Sequence, residues 1–176
     1  MTHHLSGKKV AFLLTSQYED SELTSPWDAV VEAGAEAVLL SPGGKKVEGK
    51  KGHSQDADLD VAGANADDYD ALVLPGGTVN ADHLRLEEDA VRFVKDFDAT
   101  GRPLAVICHG PWILTDADVV RGKKMTSYKS LRTDLTNAGA DWVDEEVVVD
   151  GKLITSRTPD DLPAFNREIV AALSER

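Results

Sequence analysis

The chain has 176 residues, of which 28% are charged, and its formal net charge at pH 7 is −12. A chain of this length is typical of one globular domain, and we predict a single domain over residues 1–176 with a flexible tail at residues 1–7. Nucleic acid is not expected as a partner, because binding phosphates requires clustered lysines and arginines. The two basic runs, residues 44–51 and 121–124, are short and are interpreted as solvated loops.

The sequence gives no sign of a membrane segment or of a disulfide. No stretch approaches the ~20 apolar residues that a membrane helix needs, so no membrane partner is expected. The apolar run at residues 10–14 is too short for the core of a signal peptide. One cysteine cannot form an internal disulfide, and we predict a reducing, cytoplasmic location. No two of the five histidines have the spacing of metal ligands on a helix, so neither a metal nor another cofactor is predicted.

The first part of the chain alternates strand and helix patterns. The apolar run at residues 9–14 predicts a buried strand, and residues 22–33 predict a helix that ends at Gly34. Residues 37–40 predict a second strand. The segment 42–58, which is rich in glycine and lysine, predicts a small hairpin or an extended excursion.

Two further predicted strands end in loops of unusual composition. Residues 71–74 predict a strand that leads into Pro75-Gly76-Gly77. Residues 103–107 predict a strand that leads directly into Cys108-His109-Gly110. Between them, residues 87–99 carry apolar side chains at helical spacing.

The last part of the chain predicts two helices, at residues 130–138 and 162–173, and three short strands between them. The strands are residues 142–143, 146–149 and 152–155, and the Asp150-Gly151 turn joins the last two.

Repeated strand and helix alternation predicts an α/β fold, with a mostly parallel sheet covered on both faces. Ligands of such sheets bind outside the carboxyl ends of the strands. Three features of the chain fall at these ends: Glu22 beyond the first strand, the Gly76-Gly77 loop, and Cys108. This coincidence indicates a functional site.

Cys108 stands between an apolar strand and a small residue, as a nucleophile does at a sharp strand-to-helix turn. The amino end of the following helix is expected to lower the pKa of the thiol. Gly110 and the Gly76-Gly77 loop favour a functional cysteine, because glycine lets backbone amides approach a ligand. The alternative is an inert core cysteine, which is common for a free thiol.

Glu22 and His109 each have two interpretations. Glu22 is either a solvated acid at a helix start or an inward carboxyl that stays protonated and donates a hydrogen bond to a nearby thiolate. His109 is either a general base that a third group orients, or a histidine that packs beside the turn.

Four ordered segments resemble the motifs of a known family. They are residues 19–23 (EDSEL), 73–77 (VLPGG), 105–112 (AVICHGPW) and 156–162 (SRTPDDL). With them the chain resembles the PfpI intracellular-protease family, in the superfamily of the parkinsonism-associated protein deglycase, from about residue 8 to residue 173.

The resemblance implies a flavodoxin-like three-layer α/β sandwich and a homo-oligomer, either a dimer or a hexamer. It implies that Cys108 is the nucleophile and that Glu22 is the carboxyl bonded to it. The amides of Gly76, Gly77 and His109 would line the oxyanion side.

Three more residues match positions of the same family. Asp82 takes the place of an acid, often Glu in relatives, that orients the histidine of a neighbouring subunit; the alternative for Asp82 is a helix cap. Tyr128 resembles an active-site tyrosine, with a packed surface tyrosine as the alternative. Arg157 is interpreted as a structural or interface residue.

The resemblance implies a stress-response protein that acts on small reactive carbonyls or on glycated or unfolded protein, as a cofactor-free glyoxalase or deglycase. Cys108 would attack the carbonyl, assisted by Glu22 and His109. An intracellular cysteine peptidase using Cys108, His109 and Asp82 is the main alternative. A third is an oxidative-stress sensor or holdase chaperone that works through oxidation of Cys108.

Overall fold

A computed structural model describes residues 4–174, and its centre is one sheet of seven strands. The bounds of these strands are β1 Lys9–Leu13, β2 Glu36–Ser41, β5 Leu59–Asp60, β6 Ala71–Leu74, β7 Leu104–Ile107, β10 Val147–Asp150 and β11 Leu153–Ser156. Their spatial order is β10-β11-β7-β6-β1-β2-β5, and all neighbours are parallel except β10 and β11. The run β2-β1-β6-β7-β11 has the 2-1-3-4-5 order of the flavodoxin-like fold.

The sheet is buried on both faces because its central strands are apolar at every position. All four residues of β6 and of β7 are buried, so neither strand has a solvated face. Alternate residues of β1 enter two separate cores: Ala11 and Leu13 belong to one, and Val10 and Phe12 to the other. The fold is therefore a three-layer α/β sandwich in one domain, as predicted.

Helices cover each face of this sheet. Helices α1 (Asp20–Glu32) and α6 (Leu162–Ser174) pack on one face, where Leu23 and Phe165 enter the same core. Helices α3 (Glu88–Ala99), α4 (Trp112–Asp116) and α5 (Arg132–Asn137) pack on the other face. Within residues 4–174, no helix is long and apolar enough to cross a membrane.

The predicted excursion between β2 and β6 contains a hairpin. Strands β3 (Val47–Glu48) and β4 (Ser54–Gln55) pair antiparallel outside the main sheet. The Asp20 carboxylate fixes the tip of the hairpin, because it accepts hydrogen bonds from the backbone N–H groups of Lys51 and His53 at 2.9 and 2.8 Å. The hairpin therefore docks on the first turn of α1.

Several short elements are not anticipated from the sequence, among them the edge strand β5 (Leu59–Asp60). Helix α2 (Thr78–Leu84) follows the glycine loop, and its polar composition gives no clear apolar period. Helix α4 has five residues, too few for a periodic signal. Strand β8 (Lys124–Met125) pairs parallel with β9 (Asp141–Trp142), which overlaps the predicted strand at residues 142–143.

The sequence predicts a flexible tail at residues 1–7, and for the described part of this segment the prediction is wrong. Residues 1–3 lie outside residues 4–174. Leu5 is fully buried in the core beneath α1. Its backbone N–H donates to the Ala33 carbonyl at 2.9 Å, so this segment is packed against the domain because Leu5 fills an apolar space there.

Candidate active site

The site lies at the carboxyl ends of β1, β6 and β7. The strand order reverses between β1 and β6, and in open α/β sheets this switch point opens a crevice for ligands. Glu22 follows β1, the Gly76-Gly77 loop follows β6, and Cys108 follows β7. The structure therefore brings together the three features that the sequence placed at strand ends.

Asn80 holds the two sides of this crevice in register. Its side chain is fully buried, and its Oδ1 accepts a hydrogen bond of 2.7 Å from the backbone N–H of Thr15, which follows β1. Its Nδ2 donates to the carbonyl oxygens of Gly76 at 3.0 Å and Pro75 at 3.3 Å. Sequence reasoning missed Asn80, because its role arises from loops that are distant in the chain.

Cys108 occupies a sharp turn with an uncommon backbone conformation. Its φ is +63°, in the left-handed region, which costs about 1–2 kcal/mol for a residue with a side chain. The turn is fixed on both sides, since the Cys108 N–H donates to the Ser156 carbonyl at 3.0 Å and the Cys108 carbonyl accepts from the Tyr128 N–H at 2.8 Å. This is the geometry of the predicted nucleophile turn.

Glu22 is the inward carboxyl of the two alternatives, because its side chain is fully buried. Its Oε1 accepts a hydrogen bond of 2.8 Å from the Gly76 N–H. A Cβ at position 76 would lie 2.5 Å from this oxygen and 2.9 Å from the Cβ of Cys108. Only glycine fits between the acid and the cysteine, so the Pro75-Gly76-Gly77 loop lets them approach each other.

The electrostatics of Glu22 favour its neutral form. Burial raises the pKa of the Glu22 carboxyl to about 8, the Gly76 N–H acts against this shift, and the neighbouring Glu19 charge adds to it. At neutral pH most molecules therefore carry a proton on Glu22.

The prediction of a lowered thiol pKa is wrong. Burial raises the pKa of the Cys108 thiol, the Glu22 charge raises it further, and the backbone N–H groups of His109 and Gly77 oppose the shift only in part. Helix α4 begins at Trp112 and has five residues, so its amino end is too far and too short to favour the thiolate strongly. The Cys108 thiol is therefore protonated at neutral pH.

Only two of the three backbone amides that the resemblance placed on the oxyanion side face the Cys108 sulfur. The N–H groups of Gly77 and His109 face the Cys108 sulfur, as expected for donors to a developing negative charge. The Gly76 N–H instead donates to Glu22. Gly76 is therefore the residue that positions the acid, and its amide is not free to act as an oxyanion donor.

His109 lies beside the cysteine within the same chain. Its Nδ1 is 3.6 Å from the Cys108 sulfur. Its Nε2 lies 3.4 Å from the Thr78 hydroxyl and 3.3 Å from the Ser130 hydroxyl. Burial, assisted by the positive charge of Lys50, lowers the pKa of His109, so the imidazole is neutral at physiological pH.

Tyr128 belongs to the site and is not a plain surface tyrosine. Its ring stacks on the His109 imidazole with centroids 4.8 Å apart and an angle of 22° between the planes. A cleft of about 270 Å³ lies beside it, and Ser127, Lys129, Asp144, Arg157 and Thr158 form the remaining lining. Thr78 and Ser130 were not singled out in the sequence, although each stands within two residues of a predicted site residue.

Asp82 and Arg157 stand apart from the cysteine. Asp82 is exposed on α2, and within residues 4–174 of its own chain its side chain makes no hydrogen bond or ion pair. Its predicted contact with a neighbouring subunit stays a prediction. Arg157 pairs with Asp161 at 2.9 Å and with Asp144 at 3.0 Å, which is the structural role expected for it.

In the part of the chain that is described, no cluster of three or more His, Cys, Asp or Glu side chains is placed to hold a metal ion. The groups available for chemistry are thus the thiol, the buried carboxyl, the neutral imidazole and the backbone amides. Such a set can form a covalent bond to an electrophilic carbon and transfer protons beside it.

Comparison with known proteins gives relatives of nearly equal length. "Protein/nucleic acid deglycase 2" of Escherichia coli is 48% identical over 170 residues, which is 95% of this chain and 98% of the relative. "General stress protein 18" of Bacillus subtilis is 48% identical over 172 residues, 96% of this chain and 99% of the relative. YraA of Bacillus subtilis, whose name assigns it provisionally to the cysteine proteases, is 48% identical over 163 residues, 92% and 96% of the two chains.

A solved structure and a family model agree with this relationship. The chain superposes with a TM-score of 0.92 and 42% identity on a two-domain protein of Anabaena variabilis with DJ-1/ThiJ/PfpI-like and ferritin-like domains. The match covers 94% of this chain and 48% of that protein, so the chain spans about half of its length. The model of the DJ-1/PfpI family matches residues 8–172. The chain therefore belongs to the DJ-1/PfpI family.

Proposed function

We propose that this protein is a stress-response enzyme of the deglycase and glyoxalase type, which acts on small reactive carbonyls or glycated protein through Cys108. The names of the deglycase and stress-protein relatives support the type of function. The observation that carries the proposal is the pairing of Cys108 with the buried Glu22, whose pKa of about 8 lets it exchange a proton near neutral pH. We also propose a cytoplasmic homo-oligomer.

The first step is addition of the thiol to an aldehyde. The Cys108 sulfur forms a bond to the aldehyde carbon of methylglyoxal, and the carbonyl electron pair moves to the oxygen. The thiol proton passes to ionised Glu22, and protonated Glu22 or water then supplies the proton that the new alkoxide takes up. The Gly77 and His109 N–H groups, which face the sulfur, are placed to stabilise negative charge as the bond forms.

The second step moves a proton between two adjacent carbons. Glu22 or neutral His109 removes the proton from the carbon bonded to sulfur, and a proton returns to the neighbouring carbon. This converts the hemithioacetal into a thioester of lactate. Water hydrolyses the thioester and restores the thiol, so that methylglyoxal and water give lactate without an external oxidant or a cofactor. Removal of a sugar-derived adduct from an amine would start at the aminocarbinol. There the Cys108 sulfur forms a bond to the carbon that carries the nitrogen, the carbon–nitrogen bond breaks, and the amine leaves with the thiol proton, which gives a hemithioacetal.

The test is conversion of methylglyoxal to lactate, followed by NMR. We expect loss of methylglyoxal with matching formation of lactate in the wild-type protein, and neither in Cys108→Ala. Val149→Ala is the matched control, because Val149 is 49% exposed and belongs to the edge strand β10. Wild-type protein that leaves millimolar methylglyoxal unchanged would overturn the proposal.

A cysteine peptidase is the main alternative, and the name of YraA favours it. Acyl transfer to water needs an oriented imidazole that protonates an amine leaving group. In this chain hydroxyl groups contact the Nε2 of His109, so a peptidase would need Asp82 from another subunit. Peptide cleavage that is abolished in Asp82→Ala, without loss of lactate formation, would support this alternative.

A redox sensor or holdase is the third candidate. Protonated Glu22 beside the sulfur is suited to donate a hydrogen bond to an oxidised cysteine. Addition of two oxygen atoms to Cys108 by dilute peroxide, in a protein inert toward carbonyls and peptides, would favour it.

A further inference from the structure

Two hydroxyl groups contact the same nitrogen of the His109 imidazole. Its Nε2 lies 3.4 Å from the Thr78 hydroxyl and 3.3 Å from the Ser130 hydroxyl. The other ring nitrogen, Nδ1, lies 3.6 Å from the Cys108 sulfur. The imidazole therefore has the thiol at one nitrogen and a pair of hydroxyls at the other.

Thr78 is held by the glycine loop and by the first turn of α2. It follows Gly77, whose φ of +94° lies in the region that favours glycine. A Cβ at position 77 would lie 2.6 Å from the backbone nitrogen of Glu19, so a larger residue does not fit there. The Gly77 carbonyl accepts a hydrogen bond of 2.9 Å from the Ala81 N–H. These contacts fix the backbone that carries the Thr78 hydroxyl.

Ser130 is held by the segment that follows β8. It lies in a helical turn at residues 129–131, where the Leu131 N–H donates to the Tyr128 carbonyl at 3.0 Å. The Tyr128 N–H in turn donates to the Cys108 carbonyl at 2.8 Å. The Ser130 hydroxyl is thus tied to the same turn that carries the cysteine and the histidine.

The contacts select one of the two orientations of the imidazole ring. A half-turn about the Cβ–Cγ bond exchanges Nδ1 with Cδ2 and Nε2 with Cε1. The exchanged ring would place carbon atoms against the two hydroxyls and against the sulfur, and the hydrogen bonds would be lost. Tyr128, whose ring stacks on that of His109 at 4.8 Å, restricts the plane of the imidazole. The stacking and the hydroxyls together define the position of Nδ1.

The hydroxyl pair can accept the hydrogen of the neutral imidazole. Burial lowers the pKa of His109, so at neutral pH the ring carries one hydrogen, on Nδ1 or on Nε2. The hydrogen bond made by one ring nitrogen decides which tautomer is present. The oxygens of Thr78 and Ser130 are acceptors for an Nε2–H, and both residues are exposed, so their own O–H groups can donate to water.

The thiol end of the ring favours the same tautomer. The backbone N–H groups of Gly77 and His109 face the sulfur, and Glu22 is protonated at neutral pH. The Cys108 thiol is therefore surrounded by donors, and its own hydrogen needs an acceptor. Nδ1 provides that acceptor when the ring hydrogen is on Nε2.

We propose that Thr78 and Ser130 are positioning residues of the site: their hydroxyl oxygens accept the Nε2–H of His109, so that an unprotonated Nδ1 faces the thiol. The proposal rests on the proposed function in giving Nδ1 a proton to remove, the one on the carbon bonded to sulfur. The resemblance assigns orientation of the histidine to Asp82 of a neighbouring subunit, whereas these hydroxyls belong to the same chain. Because they carry no charge, they orient the ring without stabilising an imidazolium as a carboxylate does.

The direct test is the tautomer of His109, measured by nitrogen-15 NMR at neutral pH or above. The chain has five histidines, and His109→Gln identifies the resonances by their loss. We expect a protonated Nε2 and an unprotonated Nδ1 in the wild-type protein. In the double variant Thr78→Val/Ser130→Ala, we expect both shifts to move toward those of a mixture of tautomers. A wild-type His109 with its hydrogen on Nδ1 would overturn the proposal.

The second test is kcat/KM for methylglyoxal. We expect the double variant to lose about three- to tenfold, as for loss of one or two hydrogen bonds. Thr78→Ser keeps the hydroxyl and is expected to stay within about twofold of wild type. Thr133→Val is the matched control, because Thr133 is an exposed threonine of α5 outside the site. An equal loss in Thr133→Val would overturn the proposal, since the effect would not depend on contact with the imidazole.

The two measurements separate this proposal from the proposed function. The tautomer is observed without turnover, so the expected shifts in a protein that forms no lactate would contradict the proposed function and leave the role of the hydroxyls standing. Lactate formation with unchanged His109 shifts and unchanged kcat/KM in the double variant would overturn the role of the hydroxyls alone.

Discussion

The protonation of Cys108 and that of Glu22 are coupled, because the Glu22 charge raises the pKa of the thiol and contact with the thiol lowers the pKa of the carboxyl. The carboxylate raises the pKa of the thiol, and burial raises the pKa of the carboxyl. Loss of one proton from the pair therefore produces either a carboxylate beside a thiol or a thiolate beside a carboxylic acid. Under the proposed function, the thiol proton of Cys108 is therefore taken by a neighbouring acid, and a helix end contributes little.

Replacement of Glu22 by Gln tests the buried carboxyl through stability. The folded-state pKa is about 8 against an ordinary value of 4.5. Between these values the folded protein binds more protons than the unfolded chain, so its free energy of unfolding falls as pH rises. At pH 8 the free energy of unfolding is lower than at acidic pH by on the order of 3–5 kcal/mol because of this group. We expect Glu22→Gln to lose this pH dependence. The amide oxygen of Gln can still accept the hydrogen bond from the Gly76 N–H.

The measurement is urea unfolding at several pH values from 5 to 8.5. The wild-type free energy of unfolding should decrease relative to that of Glu22→Gln along this range. Parallel curves for the two proteins would show that Glu22 ionises normally in the folded state and would refute the burial argument.

Some residues of the candidate site can be predicted from the sequence, and others cannot. Glu22, Gly76 and Cys108 follow apolar strand runs, and parallel strands place their carboxyl ends at one edge. Asn80 reaches the same edge from helix α2, whose sequence has no clear apolar period. Its contribution depends on a contact across the fold, the hydrogen bond that it accepts from the Thr15 N–H, which no local pattern contains.

At the scale of elements, long periodic segments were predicted well and short ones were not. Helices α3 and α6 match their predicted positions to within one residue. Each has enough apolar positions to show its period. Helices α2 and α4 are seven and five residues long, and their turns follow the glycine loop and the Cys108 turn that position the chemistry.

The segment before β1 packs against the domain, although the polar composition of residues 1–7 predicts a flexible tail. Leu5 is fully buried, whereas Leu86 is 79% exposed. We expect Leu5→Ala to lower the free energy of unfolding by about 2–5 kcal/mol, as for loss of a core leucine. Leu86→Ala should change it by about 0.5 kcal/mol or less.

Chemical denaturation with far-ultraviolet circular dichroism measures both variants. If Leu5→Ala were as stable as Leu86→Ala, the segment would be a detachable tail, as the sequence alone suggested.

For the whole molecule, the fold class followed from the alternation of elements, and the topology explains the position of the site. The strand order reverses between the parallel strands β1 and β6, and Glu22 and Gly76 approach each other at that switch point. The substrate does not follow from the topology, because the same thiol and acid suit a carbonyl, a peptide bond or an oxidant. The reaction of Cys108 must therefore be identified by measuring reaction rates with each class of substrate.

The pH dependence of kcat/KM for methylglyoxal, in wild type and in Glu22→Gln, tests the central claim that the two groups exchange one proton. Because the ionised pair is the reactive form, wild-type kcat/KM should rise with pH and level off above about pH 8, the pKa of Glu22. Glu22→Gln should fold normally and lose about 100-fold or more in kcat/KM, the usual contribution of a general acid or base. A folded Glu22→Gln with the wild-type rate and pH profile would contradict the account.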